Sequence, residues 1–112
     1  MHYHAHVYWQ NEDQRMKALQ ARLPLTEMGC TVGTMWDRPI GPHPRASYQA
    51  NYTAANADSV ESLLRSTGLT VLLHEDTDDD MRDHTTGARW LGETLALDLV
   101  WLQNYQNGVK NV

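Results

Sequence analysis

The chain predicts an α+β domain with elements in the order β-α-β-β-α-β, and three observations carry that reading. Residues 2–9, 45–53 and 69–75 alternate apolar and polar side chains with the period of two that a half-buried strand requires. Two stretches between them carry apolar residues at helical spacing behind polar caps at Asn11 and Asp58. Residues 37–44 hold Pro39, Gly41, Pro42 and Pro44, a stiff connection that is neither helix nor strand interior, so the second and third strands follow one another directly. This is the ferredoxin-like plan: an antiparallel sheet with two helices on one face, here with a C-terminal extension.

At 112 residues the chain is read as a single domain spanning 1–112, long enough to bury a core without staples. A hydrophobic fraction of 41% and a charged fraction of 21% are those of an ordinary globular protein. A net charge of −5 with no basic stripe excludes a nucleic-acid backbone binder. No apolar run is long enough to span a bilayer and no leader is visible, so a cytoplasmic protein is expected. Cys30 stands alone and reads as a small buried residue.

The first strand, 2–9, puts Tyr3, Ala5, Val7 and Trp9 on one face and His4, His6 and Tyr8 on the other. Asn11 to Gln14 forms a capping box, and Met16, Leu19 and Leu23 are the expected buried stripe of a helix that Pro24 stops near Leu23. Cys30 to Trp36 reads as the second strand. In Arg45 to Thr53, the third, Tyr48, Ala50 and Tyr52 alternate with Ser47, Gln49 and Asn51. Asp58 caps the second helix, whose stripe is Val60, Leu63 and Leu64 and which ends at Gly68. Leu69 to Glu75 is the fourth strand, with Leu69, Val71 and Leu73 on one face and Leu72 and His74 on the other. Glu75 to Asp80 reads as a solvated acidic loop. A short helix is expected over Thr85 to Leu91, an extended segment and a short helix over Leu95 to Leu102, and a frayed tail from Gln103.

In this plan the first and fourth strands lie side by side, and the face away from the helices is open. Alternation then brings His4, His6 and His74 onto one surface, with Ser47, Gln49 and Asn51 beside them. His43, between two prolines, has its backbone restricted on both sides, which fixes the direction of its ring. An open sheet face also suits a homodimer.

Histidines without cysteine partners suit Fe(II), Mn(II), copper or zinc. Zinc sites that activate water use three histidines, or two with a carboxylate. Open non-haem Fe(II) sites use two histidines and one carboxylate. No acidic residue falls on the histidine face by alternation, so a three-histidine site is expected, or a carboxylate from Glu75, Asp76 or Asp83. Three other readings of the cluster stay open on the residues alone: a binding module without chemistry, a structural dimer face, and a zinc hydrolase.

Four motifs add a resemblance. His4-Ala5-His6-Val7-Tyr8, Gly41-Pro42-His43-Pro44, Val71-Leu72-Leu73-His74, and Asp83-His84-Thr85 running to Trp90-Leu91-Gly92 occur in that order. Together they resemble the small DOPA 4,5-dioxygenase family of fungi and bacteria, from about Tyr3 to Leu102. The resemblance implies a ferredoxin-like fold, non-haem Fe(II), and extradiol cleavage of a catechol such as L-DOPA by O2 to a ring-opened semialdehyde. Its histidines carry over onto His4, His6, His43, His74 and His84. Joined to the predicted faces, it leads to the expectation that His6, His43 and His74 hold Fe(II), or another divalent ion such as zinc. His4 shares a face with His6, so either can be the ligand. His4 and His84 are the expected proton-transfer groups, with Asp83 orienting an imidazole. Tyr8 and Gln49 are expected to line the pocket with Trp90, and Arg45 to hold a substrate carboxylate through its planar fork.

Overall fold

β1, His2–Trp9, runs through the middle of the sheet with both edges paired. On one side lies β3, Ala46–Thr53, antiparallel, with His6 opposite Gln49 and Tyr8 opposite Ser47. On the other lies β4, Val71–Glu75, also antiparallel, with His4 opposite His74 and His6 opposite Leu72. β2, Thr31–Val32, adds to the free edge of β3, and β5, Arg89–Leu91, to that of β4, for an order of β2-β3-β1-β4-β5. The structure, a computed structural model, describes residues 1–108. No helix among them is long and apolar enough to cross a membrane.

α1, Glu12–Glu27, and α2, Ala57–Ser66, cover one face, as the ferredoxin-like plan requires. The core between them holds Ala5, Val7 and Trp9 of β1, Tyr48, Ala50 and Tyr52 of β3, and Val71 and Leu73 of β4. Asn11 caps α1 through its Oδ1, which accepts from the Gln14 N–H at 2.9 Å, while Gln14 Oε1 accepts from the Gln10 N–H at 2.9 Å.

α1 differs from expectation in two ways. It turns Ala18, Ala21 and Leu25 inward and leaves Met16, Leu19 and Leu23 at 52%, 41% and 67% exposure. The bulk beneath it comes from Trp9 and Tyr48, so the helix contributes small residues and lies close. The Tyr48 hydroxyl donates to the Ala18 carbonyl at 2.7 Å. The helix also runs past Pro24. An interior proline costs about 3 kcal/mol, and burying Leu25 one residue on recovers about 1.5–3 kcal/mol. The N–H groups of Met28, Gly29 and Cys30 then close on the carbonyls of Pro24, Thr26 and Leu25.

Other boundaries moved for identifiable reasons. Asn56, not Asp58, is the N-cap residue of α2; its side chain accepts from the Thr53 N–H and donates to the Met28 carbonyl. Glu61 is engaged elsewhere, accepting from the Tyr52 hydroxyl at 2.8 Å and pairing with Arg89 at 2.8 Å. The second strand shrinks to two residues, although the chain returns to pair Trp36 with Ser47. His2 opens β1, and its carbonyl accepts from the Asp76 N–H at 2.8 Å.

The largest revision follows β4. Residues 85–91 are not a helix. α3, Asp80–Asp83, comes earlier, and Arg89–Leu91 is a strand. Gly87 donates its N–H to the Arg82 carbonyl at 2.7 Å and comes so near that a Cβ there would stand 3.0 Å from that oxygen. The tight turn frees the chain to pair with β4, Leu72 opposite Trp90, which satisfies an edge that would otherwise be bare. Residues 95–98 form no strand, and α4, Leu99–Gln106, includes part of the expected tail. Asp98 caps it, accepting from the Trp101 N–H at 2.9 Å. The rest of that tail, 109–112, lies outside the described residues.

The second sheet face, expected to be open and to pair two copies, is covered. The proline-rich connection, α3 and α4 close over it, and His6, Leu72, His74 and Ser47 are all buried. The cover is fastened across sequence by the Asp98 N–H on the Pro42 carbonyl (2.9 Å) and the Met81 N–H on Gln106 Oε1 (2.7 Å). Gly41, at φ +58°, makes the turn under which the Trp101 ring sits.

Candidate metal centre

β1 and β4 are antiparallel neighbours, so alternation carries His4, His6 and His74 to the same side of the sheet. The proline-rich connection hangs His43 over His6, with ring centroids 4.4 Å apart. The residue after α3 brings His84 to 4.5 Å from His74 and 5.7 Å from His6. The Nε2 atoms of His6 and His74 are 3.0 Å apart. Nitrogens of His4, His6 and His74 gather within 4.8 Å of one another.

The backbone orients two of these rings. His74 Nδ1 lies 2.8 Å from the Glu75 carbonyl, and His84 Nδ1 lies 2.8 Å from the Asp80 carbonyl. A carbonyl only accepts, so Nδ1 donates in both, and in the neutral ring Nε2 keeps a lone pair. His43 Nδ1 shares a 2.7 Å hydrogen bond with the Tyr8 hydroxyl. His4 Nε2 faces Asp76 Oδ2 at 3.4 Å.

Burial favours the uncharged form of His4, His6, His43 and His74. It holds His43 and His74 down at about 4, helped in both by the imidazole of His84. His6 lies well below its ordinary value, through burial first and then His43 and His74. His4 is lowered by burial, against the pull of Asp76. Burial pushes the Tyr8 phenol far up, so it stays protonated.

The donor set fits a divalent metal. Two nitrogens each about 2.1 Å from a common ion stand about 3 Å apart when their bonds meet near a right angle, and His6 and His74 show that separation. The imidazoles are neutral, as ligands must be. A carbonyl on the far nitrogen of His74 is the usual outer partner of a metal-bound histidine.

The family-model comparison bears on the same residues. The model of the Dopa 4,5-dioxygenase family matches residues 3–101. The chain belongs to that family. A DOPA 4,5-dioxygenase from Amanita muscaria is 31% identical over 107 residues, 88% of this chain and 47% of its own length. An uncharacterized 21.2 kDa protein from Botryotinia fuckeliana is 39% identical over 74 residues, 57% of this chain and 40% of its own. The chain thus spans under half the length of these two curated relatives. Among solved structures, a "putative dioxygenase" from Nostoc punctiforme superposes with a TM-score of 0.86 at 34% identity, over 93% of this chain and 92% of that one.

Within this family member, a cavity of about 210 Å³ opens over the cluster and touches His4, His6, His43, His74, His84 and Gln49. A second, of about 270 Å³, lies on the other side of His6 and His43 and also reaches Gln49. Tyr8 is buried beneath, stacked on Trp90 at 6.1 Å. Arg45 is not brought to either cavity. Its guanidinium donates to Glu93 at 3.0 Å, and it lines a separate hollow beside the start of α1. Asp83 holds no imidazole among the hydrogen bonds described: its buried carboxylate accepts from the Thr77 N–H and hydroxyl at 2.8 and 2.6 Å, fastening the acidic loop. Two residues of that loop, Asp76 and Asp80, are not merely solvated but face the histidine cavity. Sequence reasoning missed Trp101, Leu102 and Tyr105, which close its mouth. The signal was present in Asp98 as a cap and in two aromatic residues four apart, as on one helix face.

Proposed function

We propose that the protein is a non-haem iron dioxygenase that opens a catechol ring beside its two hydroxyls. The observation that carries the reading is the convergence of five histidines from β1, β4 and two loops, with two Nε2 atoms 3.0 Å apart, in a chain of this family. In the overall reaction the carbon–carbon bond next to the diol breaks. Both atoms of O2 enter the product, one in an aldehyde and one in a carboxylic acid, and the ring supplies the four electrons. His4, His6 and His74 would hold the metal, since their nitrogens gather most closely. When bound, Fe(II) would supply a site where catechol and O2 meet and exchange electrons.

The remaining residues would bind and move protons. A catechol must lose its hydroxyl protons to bind as an anion, and the product must regain one. The Tyr8 hydroxyl both donates and accepts, so His43 can take either tautomer across their 2.7 Å hydrogen bond. Its Nε2 can therefore accept a proton or return one. His84, held by the Asp80 carbonyl, presents its Nε2 as a second base. α4 and the proline-rich connection keep water from the buried rings. L-DOPA as a substrate, a homodimer and a cytoplasmic location belong to the same proposal; light scattering on purified protein tests the dimer.

The test is oxygen uptake with 4-methylcatechol by protein reconstituted anaerobically with Fe(II), beside zinc-loaded and metal-free controls. Uptake with iron alone, a new visible absorbance from the semialdehyde, and loss of both in His74→Ala are expected. Iron binding without uptake on any catechol would overturn the assigned reaction.

A further inference from the structure

A hollow of about 570 Å³ lies beside the start of α1, between the end of β1 at Trp9 and the two ends of the proline-rich connection. No histidine is among its lining residues, so it is separate from the candidate metal centre. Three of the chain's nine basic residues, Arg15, Arg38 and Arg45, border it, on a chain of net charge −5. Its acids are Glu12 and Asp37, so the hollow locally reverses the sign of the chain.

The three guanidiniums are not equally engaged. Arg15 is taken up by Asp37, through Nε at 2.7 Å and Nη2 at 3.0 Å. Arg38 has no carboxylate partner among the described residues and rests over the Trp36 ring, 5.8 Å from its centroid. Arg45 is mostly buried, with 22% of its side chain exposed, and uses one nitrogen, Nη1, on Glu93 at 3.0 Å. No buried side-chain nitrogen among the described residues lacks a partner, so Nε and Nη2 of Arg45 are reached by solvent. Glu93 is 61% exposed, and an ion pair so open to water is weak. Burial thus fixes the stem of Arg45 while most of its donors stay free.

A planar fork held in this way matches the paired oxygens of a carboxylate or a phosphoryl group. Charge and room decide between them. A carboxylate carries one charge, which one fork neutralises. A phosphate monoester carries close to two near neutral pH and presents three oxygens, which suits two forks. Bare phosphate would leave most of the hollow empty. Its volume falls within the roughly 300–1,000 Å³ of small-molecule pockets, and Trp9, Pro39 and Pro44 give an organic body an apolar wall.

We propose that this hollow binds a phosphorylated small molecule, with the phosphoryl group on Arg38 and Arg45 and the organic body against Trp9 and the prolines. The site depends neither on the metal nor on the ring-cleavage reading.

Isothermal titration of the metal-free full chain with phenyl phosphate, inorganic phosphate and benzoate tests this, at low salt and about pH 7.5, above the second phosphate ionisation. Phenyl phosphate should bind with a dissociation constant below about 1 mM. Inorganic phosphate should bind more weakly, for want of the organic body, and benzoate about tenfold more weakly, for want of the second charge. Arg38→Gln and Arg45→Gln should each weaken phenyl phosphate about tenfold or more. Arg65→Gln, on α2 and outside the hollow, should leave it unchanged. Arg38→Gln removes no hydrogen bond or ion pair that holds the fold, so its effect is separable from stability, which thermal unfolding of each variant checks. No binding at about 10 mM, binding that survives either arginine substitution, or benzoate that matches phenyl phosphate overturns the assignment. Phosphatidylcholine vesicles carrying phosphatidate should not sediment the protein. Sedimentation that Arg38→Gln abolishes would assign the phosphoryl group to a lipid and overturn the small molecule.

Discussion

The two faces of β1 do opposite work from the same eight residues. Ala5, Val7 and Trp9 meet two helices and form a core that is apolar throughout. His4, His6 and Tyr8, between them in sequence, meet loops and a short helix and form a polar interior in which the imidazoles touch one another. The first face is stabilised by area removed from water. The second has buried polar groups that are costly unless each finds a partner. No buried side-chain nitrogen or oxygen among the described residues lacks one. A protein can therefore build a reactive site against a rigid core if the two are separated by one sheet thickness and each face is closed by its own elements.

That contrast can be broken at several points. The largest effect belongs to the helical face. Leu73→Ala, at a fully buried position, should cost about 2–5 kcal/mol in urea unfolding, while the zinc affinity of the variant that remains folded stays near that of the parent. A cost below about 1 kcal/mol would mean that the helical face is not the main source of stability. Next comes the metal. An ion at a hundred times its dissociation constant should stabilise the parent by about 2.7 kcal/mol. His74→Ala should lose most of that gain in a thermal-shift measurement, and an undiminished shift would place the ion elsewhere.

Acid should separate the faces most gradually. In the unfolded chain these histidines take up protons near 6.5, whereas His43 and His74 do so only near 4 and burial holds His6 well below its ordinary value. Between those values the unfolded state binds more protons, so stability falls as pH falls. Each such histidine contributes a slope of up to about 1.4 kcal/mol per pH unit. The metal-free protein should thus lose stability from about pH 6.5 toward 4. His6→Gln should flatten the profile, and a metal-free profile level over that range would contradict neutral burial.

Particular residues show what local pattern conveys. Val7 next to His6, and Leu73 next to His74, state their faces in a dipeptide, because a strand alternates whatever surrounds it. Asn11 and Gln14 state a helix start, because a cap is a local bond. Met16 misled: a heptad-like stripe names a helix but not the face that wins, and the aromatic bulk of Tyr48 decided for Ala18. Trp90 misled too, since an edge left bare by β4, not the propensity of residues 85–91, made that segment a strand.

The sequence by itself determined the β-α-β-β-α-β order of the first four strands and two helices, the two-faced alternation of those strands and the meeting of His4, His6 and His74, because these depend on periods of two and 3.6 residues. Only the tertiary structure decided that the second face is covered, that Asp76, Asp80, Trp101 and Tyr105 reach the histidines, and that Arg45 does not. Those outcomes depend on where residues far apart in the chain come to rest, and on which hydrogen bonds, such as Asp98 to Pro42 and Met81 to Gln106, hold them there.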